Sequence, residues 1–168
     1  MVHYIDRYRN GEITAFFREA VGRLAAGAAQ RGFTLAVETA SYKPDEYPHC
    51  PDTSELAAFV KSFDSPHVRI CMDLNHANNH EDLVQAIRNC TGLIATIHVS
   101  DNHGTREEHL APGEGVIDFE AAFRALREGG YRGAVNMEVR EEGTSGPGRL
   151  DALAAWARAA ERRHPAPA

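Results

Sequence analysis

The chain reads as an α/β protein built on a parallel sheet, and three observations predict it. Four apolar runs alternate strictly with segments of helical periodicity. The runs are close to continuously apolar, as strands covered on both faces are. Each run also ends at or beside a residue able to hold a metal ion: Glu38, Asp73, His98 and Glu138.

Taken in order, residues 1–11 are polar and read as an irregular lead-in. From residue 12 to residue 31, Phe16, Phe17, Ala20, Val21, Leu24, Ala25 and Ala28 recur at three- and four-residue spacing, which predicts a helix. Gly32 follows, where a left-handed residue commonly caps a helix. Residues 33–37 are the first strand, ending at Glu38. A Pro- and Tyr-rich loop occupies residues 41–51, and loops of that length in compact domains tend to serve function. Asp52-Thr-Ser-Glu55 has the form of a capping box and opens a helix running to about Phe63. The second strand, residues 68–72, ends at Asp73; Asn78 or Asn79 then caps a third helix reaching Cys90. The third strand, residues 93–97, ends at His98 and leads into a polar loop over residues 100–115. Asp118 caps a helix with Phe119, Ala122, Phe123 and Leu126 inward, and Gly129-Gly130 stops it. Residues 134–137 are the fourth strand, ending at Glu138; a last helix covers about residues 148–163, with a Pro/Ala tail at 164–168. The expectation is one domain over residues 12–163.

Composition narrows the function classes. At 168 residues, 43% hydrophobic and 25% charged, the chain is ordinary for one globular domain. No apolar run approaches the roughly 18–20 residues of a membrane span. The start, Met1-Val-His-Tyr-Ile-Asp-Arg7, lacks the basic and apolar stretches of a signal peptide. Three cysteines without a CxxC spacing argue for a reducing, cytoplasmic compartment, and Cys71, inside an apolar run, reads as plain core. A net charge of −6 with no basic block argues against nucleic acid as the main partner.

In such sheets, sites form at the carboxyl ends of the strands. Three carboxylates and one imidazole there make a mostly hard donor set. Oxygen donors suit Mg²⁺ or Mn²⁺, and the imidazole widens the choice to Co²⁺, Fe²⁺ or Zn²⁺. A bound ion of this kind polarises a carbonyl or hydroxyl oxygen, and neighbouring acids can move protons. Any one of these acids could instead be a helix cap or an ion-pair partner, and His98 alone could be a core histidine. Four together, each ending a separate strand, are harder to explain that way. His103 and His109, in a polar loop, read as solvated, and Gly113-Glu-Gly115 reads as a turn requiring glycine torsions. His3, His49, His67, His80 and His164 are read as surface residues.

Five segments carry a resemblance: Leu35-Ala-Val-Glu38, Cys71-Met-Asp-Leu-Asn-His76, Ile97-His-Val-Ser-Asp-Asn102, the stretch from His109-Leu-Ala-Pro-Gly through Phe119, and Gly130-Tyr-Arg-Gly-Ala-Val-Asn-Met-Glu138. In this order they resemble the xylose-isomerase-like TIM-barrel superfamily, which holds sugar (phosphate) isomerases and epimerases and the endonuclease IV type of DNA repair enzyme. The resemblance implies that Glu38, Asp73, His98 and Glu138 bind one divalent ion (Mn, Mg, Co or Zn). It implies that Glu38 and Glu138 exchange protons beside a sugar carbonyl through an enediolate, and that His76 contacts substrate hydroxyls. Arg106 and Arg140 are candidates for the substrate-binding arginine, and Asp101 and His109 for additional site residues.

A full barrel has eight strands in about 250 residues. This chain supplies four, matching the family's second half, so a half barrel is expected. Its open edges and inner face suggest two copies pairing into a closed barrel, or a fragment of a longer product. Three other functions stay open. One is phosphodiester hydrolysis at abasic DNA, for which His109 and Glu107 could add ligands. The others are a sugar-acid dehydratase and a non-catalytic metal-binding half barrel.

Overall fold

A computed structural model describes residues 12–41, 52–140 and 149–163. Its elements in chain order are α1 (Glu12–Arg31), β1 (Leu35–Glu38), α2 (Thr53–Lys61), β2 (Val68–Asp73), α3 (Leu74–Asn78), α4 (Leu83–Asn89), β3 (Ile94–Val99), α5 (Phe119–Glu128), β4 (Val135–Met137) and α6 (Arg149–Arg163). The expected lead-in, the 41–51 loop beyond Ser41, and the tail lie outside the described residues, as do His3, His49 and His164.

The four strands form one sheet in the order β1-β2-β3-β4, every pair parallel. Sheet order equals chain order, so the sheet never reverses its winding. A doubly wound sheet has such a reversal and places its site there; a singly wound one is the (β/α) repeat of a barrel. Within the described residues β1 and β4 each pair on one side only.

Side-chain alternation divides the sheet into two faces. Val68, Ile70 and Met72 of β2 and Ile97 and Val99 of β3 are fully buried in the apolar core. Against them pack Leu56, Phe59 and Val60 of α2, Leu83 and Ile87 of α4, and Ala122, Ala125 and Leu126 of α5. Each large aliphatic side chain so buried contributes roughly 1.5–3 kcal/mol. Phe17 of α1 stacks on Phe59 at 5.2 Å, and Trp156 of α6 meets Phe119 edge-on at 5.1 Å, which docks the two terminal helices. The intervening residues face the other way. Asp73 pairs in register with His98, and His98 with Asn136.

The caps follow the sequence with one correction. Asp52 accepts from the Glu55 N–H at 2.9 Å and Asp118 from the Ala121 N–H at 2.9 Å, as expected. Gly32 has φ +72° and Gly130 φ +81°, as helix-ending glycines do. The expected cap at Asn78 or Asn79 is instead Asp82, which accepts from the Gln85 N–H at 2.8 Å. A separate short helix, α3, occupies the intervening stretch because the Asp73 carboxylate caps it at once. β1 begins at Leu35 rather than Phe33, α2 ends at Lys61 rather than near Phe63, and β3 continues one residue past His98. His67 and His80, read as surface residues, are half-buried.

Candidate active site

At the carboxyl end of the sheet, Glu38, Asp73, His98 and Glu138 bring one donor atom each to within 4.8 Å of one another. His98 is the hub. Its Nδ1 lies 2.7 Å from Glu138 Oε2, 3.2 Å from Glu38 Oε1 and 3.8 Å from Asp73 Oδ2. Donors at about 2.0–2.6 Å from a common ion stand about 3–4 Å apart, so these spacings suit a single divalent ion. The order of the strands sets the layout: Glu38 comes from β1 and Glu138 from just past β4, while Asp73 and His98 come from between them. The two glutamates therefore flank the site from opposite sides, with side chains about half exposed at 42% and 48%.

Asp73 supplies the strongest sign that the cluster suits a cation. Its side chain has no exposure, one oxygen accepts the His76 N–H at 2.9 Å, and Oδ2 has no hydrogen-bond donor. A buried carboxylate oxygen without a donor is costly unless a positive charge compensates it. Burial pushes the Asp73 pKa up, while His76 and His98 pull it back without overcoming that effect. Cys71, on the same face, could join Glu38 and His98 as a third donor. Burial, reinforced by Glu38 and Asp73, raises its thiol pKa to about 12, so the oxygen-rich set is the better match for a hard cation.

A second group adjoins the first. His76, Glu107 and His109 also bring donors within 4.8 Å of one another. Glu107 Oε1 lies 2.7 Å from His109 Nε2 and 3.6 Å from His76 Nε2. The His76 Nδ1 lies 2.8 Å from the Thr39 carbonyl, which directs Nε2 toward Glu107 and Asp73. Burial would lower the His109 pKa, but the hydrogen bond to Glu107 and the acids nearby outweigh it and the pKa rises. Burial raises and His109 and His76 lower the Glu107 pKa, with a net fall.

Comparison with known proteins identifies the scaffold: the family model for the xylose isomerase-like TIM barrel matches residues 3–161. The chain belongs to this family. It is 33% identical over 115 residues to the 3-dehydro-D-guloside 4-epimerase of Escherichia coli K12, covering 67% of this chain and 41% of that protein. To the L-ribulose-5-phosphate 3-epimerase UlaE of E. coli O1:K1 it is 27% identical over 139 residues, covering 82% of this chain and 47% of the relative. The crystal structure of the 3-keto-D-glucoside 4-epimerase YcjR from E. coli, in its apo form, superposes with TM-score 0.69 at 27% identity, covering 84% of this chain and 52% of that one. The chain thus spans less than half the length of these two curated relatives. The four strands and their helices are α/β units of the barrel this family shares.

The candidate residues read from the sequence fare differently. Glu38, Asp73, His98, Glu138 and His76 converge, and His109, read as solvated, packs against them with a side chain only 16% exposed. Asp101 does not join: its carboxylate accepts N–H groups from Asn102, Gly113, Gly115 and Ile117 at 2.9–3.1 Å and fixes the loop after β3. Gly113 has φ +93°, and a Cβ at Gly115 would collide with the Asn102 backbone, so the turn reading of that glycine pair stands. Arg106 turns to Glu108 at 3.1 Å rather than to the cluster, and Arg140 is exposed, its backbone N–H donating to the His109 carbonyl. Thr39 was not foreseen. Its hydroxyl accepts the Asp73 N–H at 3.0 Å and its carbonyl meets His76; its place directly after Glu38 was the available signal.

Proposed function

We propose that this chain carries the reaction centre of a divalent-metal-dependent epimerase or isomerase of a small sugar or sugar derivative. The observation that carries the reading is the pair of glutamates, Glu38 and Glu138, flanking Asp73 and His98 from the outer strands. Inverting a carbon beside a carbonyl requires a base on one side of it and an acid on the other. One glutamate removes the proton, the electron pair moves onto the carbonyl oxygen as an enediolate, and the other glutamate returns a proton to the opposite face. Glu38, Asp73, His98 and Glu138 would hold the ion, which polarises the sugar carbonyl when bound. His76, whose Nε2 has no hydrogen-bond partner, would contact a substrate hydroxyl. The relatives named as sugar epimerases support this reading.

Incubating the chain with Mn²⁺ and a panel of ketoses in D₂O tests it. One deuteron should enter at the carbon beside the carbonyl, and Glu38→Gln or Glu138→Gln should cut that exchange by about 10²–10⁴-fold. Mn²⁺ binding without exchange on any ketose would leave a non-catalytic metal-binding unit.

The adjoining His76–Glu107–His109 group favours a second reading, metal-dependent phosphodiester cleavage, because ions in neighbouring sites can clamp both attacking and leaving oxygens. Nicking of abasic-site DNA with Mg²⁺, Mn²⁺ or Zn²⁺, and more than one ion per chain, would support it over the epimerase.

The strand edges at β1 and β4 bear on assembly. Phe33, before β1, and Val135, on β4, are 51% and 44% exposed. We propose that two copies pair these edges to close a barrel. Light scattering at twice the chain mass supports this; a monodisperse monomer rejects it.

A further inference from the structure

His109 adopts φ +52°, a left-handed backbone that strains a non-glycine residue and persists only where surrounding contacts enforce it. The one other non-glycine residue with positive φ among those described, Asp64, lies in the turn after α2. His109 is held on every side. Its carbonyl accepts the Arg140 N–H at 2.9 Å, and its ring Nδ1 lies 3.1 Å from the Glu138 carbonyl. Its Nε2 lies 2.7 Å from Glu107, and Ser100 Oγ is 3.3 Å from Nδ1. The loop that carries it is anchored in turn. Asp101 and Leu110 exchange backbone hydrogen bonds at 2.8 and 2.9 Å, and the Asp101 carboxylate gathers four loop N–H groups.

β4 is short, and it pairs on one side with β3. Its ladder continues to the Glu138 N–H, which donates to the Val99 carbonyl at 3.0 Å. Beyond that point β3 has turned away into its loop, and the Glu138 carbonyl and the Arg140 N–H find their partner in His109. The backbone on both sides of Val139 is thus pegged to one strained residue.

We propose that His109 is a positioning residue for Glu138, a strained loop histidine that pins the end of β4 and so fixes where the Glu138 carboxylate stands. The inference rests on the reading above that Glu138 is a metal ligand and proton carrier. Its backbone part stands without it. The loop after β3 and the end of β4 form one unit, with strain at His109 held by the anchors at Asp101 and Glu107.

Two variants separate the ring from the backbone. His109→Gly accepts positive φ without strain and removes the ring. His109→Asn tolerates the same backbone, and its side-chain N–H can stand where Nδ1 does. Two readouts apply, amide hydrogen exchange over residues 135–140 without metal, and Mn²⁺ affinity by calorimetry. His109→Gly should speed exchange at 138–140 and weaken Mn²⁺ roughly tenfold, the scale on which losing a partner behind a ligand acts. His109→Asn should recover most of both. In a Glu138→Gln background, His109→Gly should change Mn²⁺ affinity by less than about twofold, because the route through Glu138 is gone. An equal loss in both backgrounds, or unchanged exchange in His109→Gly, overturns the proposal. If the unaltered chain binds no Mn²⁺, the metal reading falls, and the exchange measurement alone decides whether His109 pins β4.

Discussion

His98 Nδ1 sits 2.7 Å from Glu138 Oε2, joining β3 to the residue just past β4 at the point where four potential ligands meet. An imidazole shared between carboxylates from both outer strands is the arrangement expected of a site in which a cation replaces those hydrogen bonds. His98→Ala removes the hub. Mn²⁺ affinity should fall by at least about a hundredfold, the upper end of what loss of a mere supporting partner costs. Calorimetric titration checks this, and an affinity within a few-fold of the unaltered chain would rule His98 out as a ligand.

Asp73 should show opposed effects on stability and binding. Its folded pKa is raised by burial, so its charge opposes folding at neutral pH, and that penalty fades as pH falls through the raised folded value and is gone below the ordinary value of 3.8. Asp73→Asn removes the charge and keeps the oxygen that caps α3. The metal-free variant should melt higher, by roughly 2–4 °C for each 1 kcal/mol gained. Added Mn²⁺ should raise the melting temperature of the unaltered chain and leave the variant unmoved.

Asp101 should matter to the scaffold. Asp101→Ala leaves four loop N–H groups without their acceptor, and each buried unsatisfied donor costs about 1–3 kcal/mol. Water reaching part of the loop reduces the sum, and a loss of about 3 kcal/mol is the expectation. Urea unfolding with an unchanged slope measures it. Gly115→Ala should destabilise the same loop, since its Cβ would meet the Asn102 carbonyl and the Asp101 carboxylate.

Glu108 gives the loop an acid-sensitive fastening. Its backbone and side-chain bonds to His103, with Arg106 assisting, lower its pKa to about 2. A depressed carboxylate stabilises fully above its ordinary value of 4.5, and this contribution is lost as pH falls through about 2. The His103 N–H, followed by NMR, should lose protection across that window. In Glu108→Gln the step should vanish, with weaker protection already at neutral pH. A step of the same size in the variant would assign it to general acid unfolding.

The parallel sheet and the four strand-end residues were legible in the sequence because both depend on short-range pattern. Apolar runs mark strands, and a carboxylate or imidazole at each carboxyl end marks a candidate site. Asp52 and Asp118 were legible as caps for the same reason. What escaped depends on contacts far apart in the chain. Asp82 displaced Asn78 and Asn79 as the cap because Asp73 had already started α3. His109 looked solvated because nothing local shows that its loop folds back to Glu138, 29 residues on. Asp101 looked like a site acid, yet its carboxylate is consumed by a loop reaching 16 residues further. Thr39 acts through Asp73, 34 residues away.

The most direct test of the account is an anomalous difference map from crystals of this chain soaked in Mn²⁺. One peak should lie within about 2.0–2.6 Å of donor atoms from Glu38, Asp73, His98 and Glu138 together. A peak held by other residues, or a fully soaked crystal with no peak among these four, would contradict it.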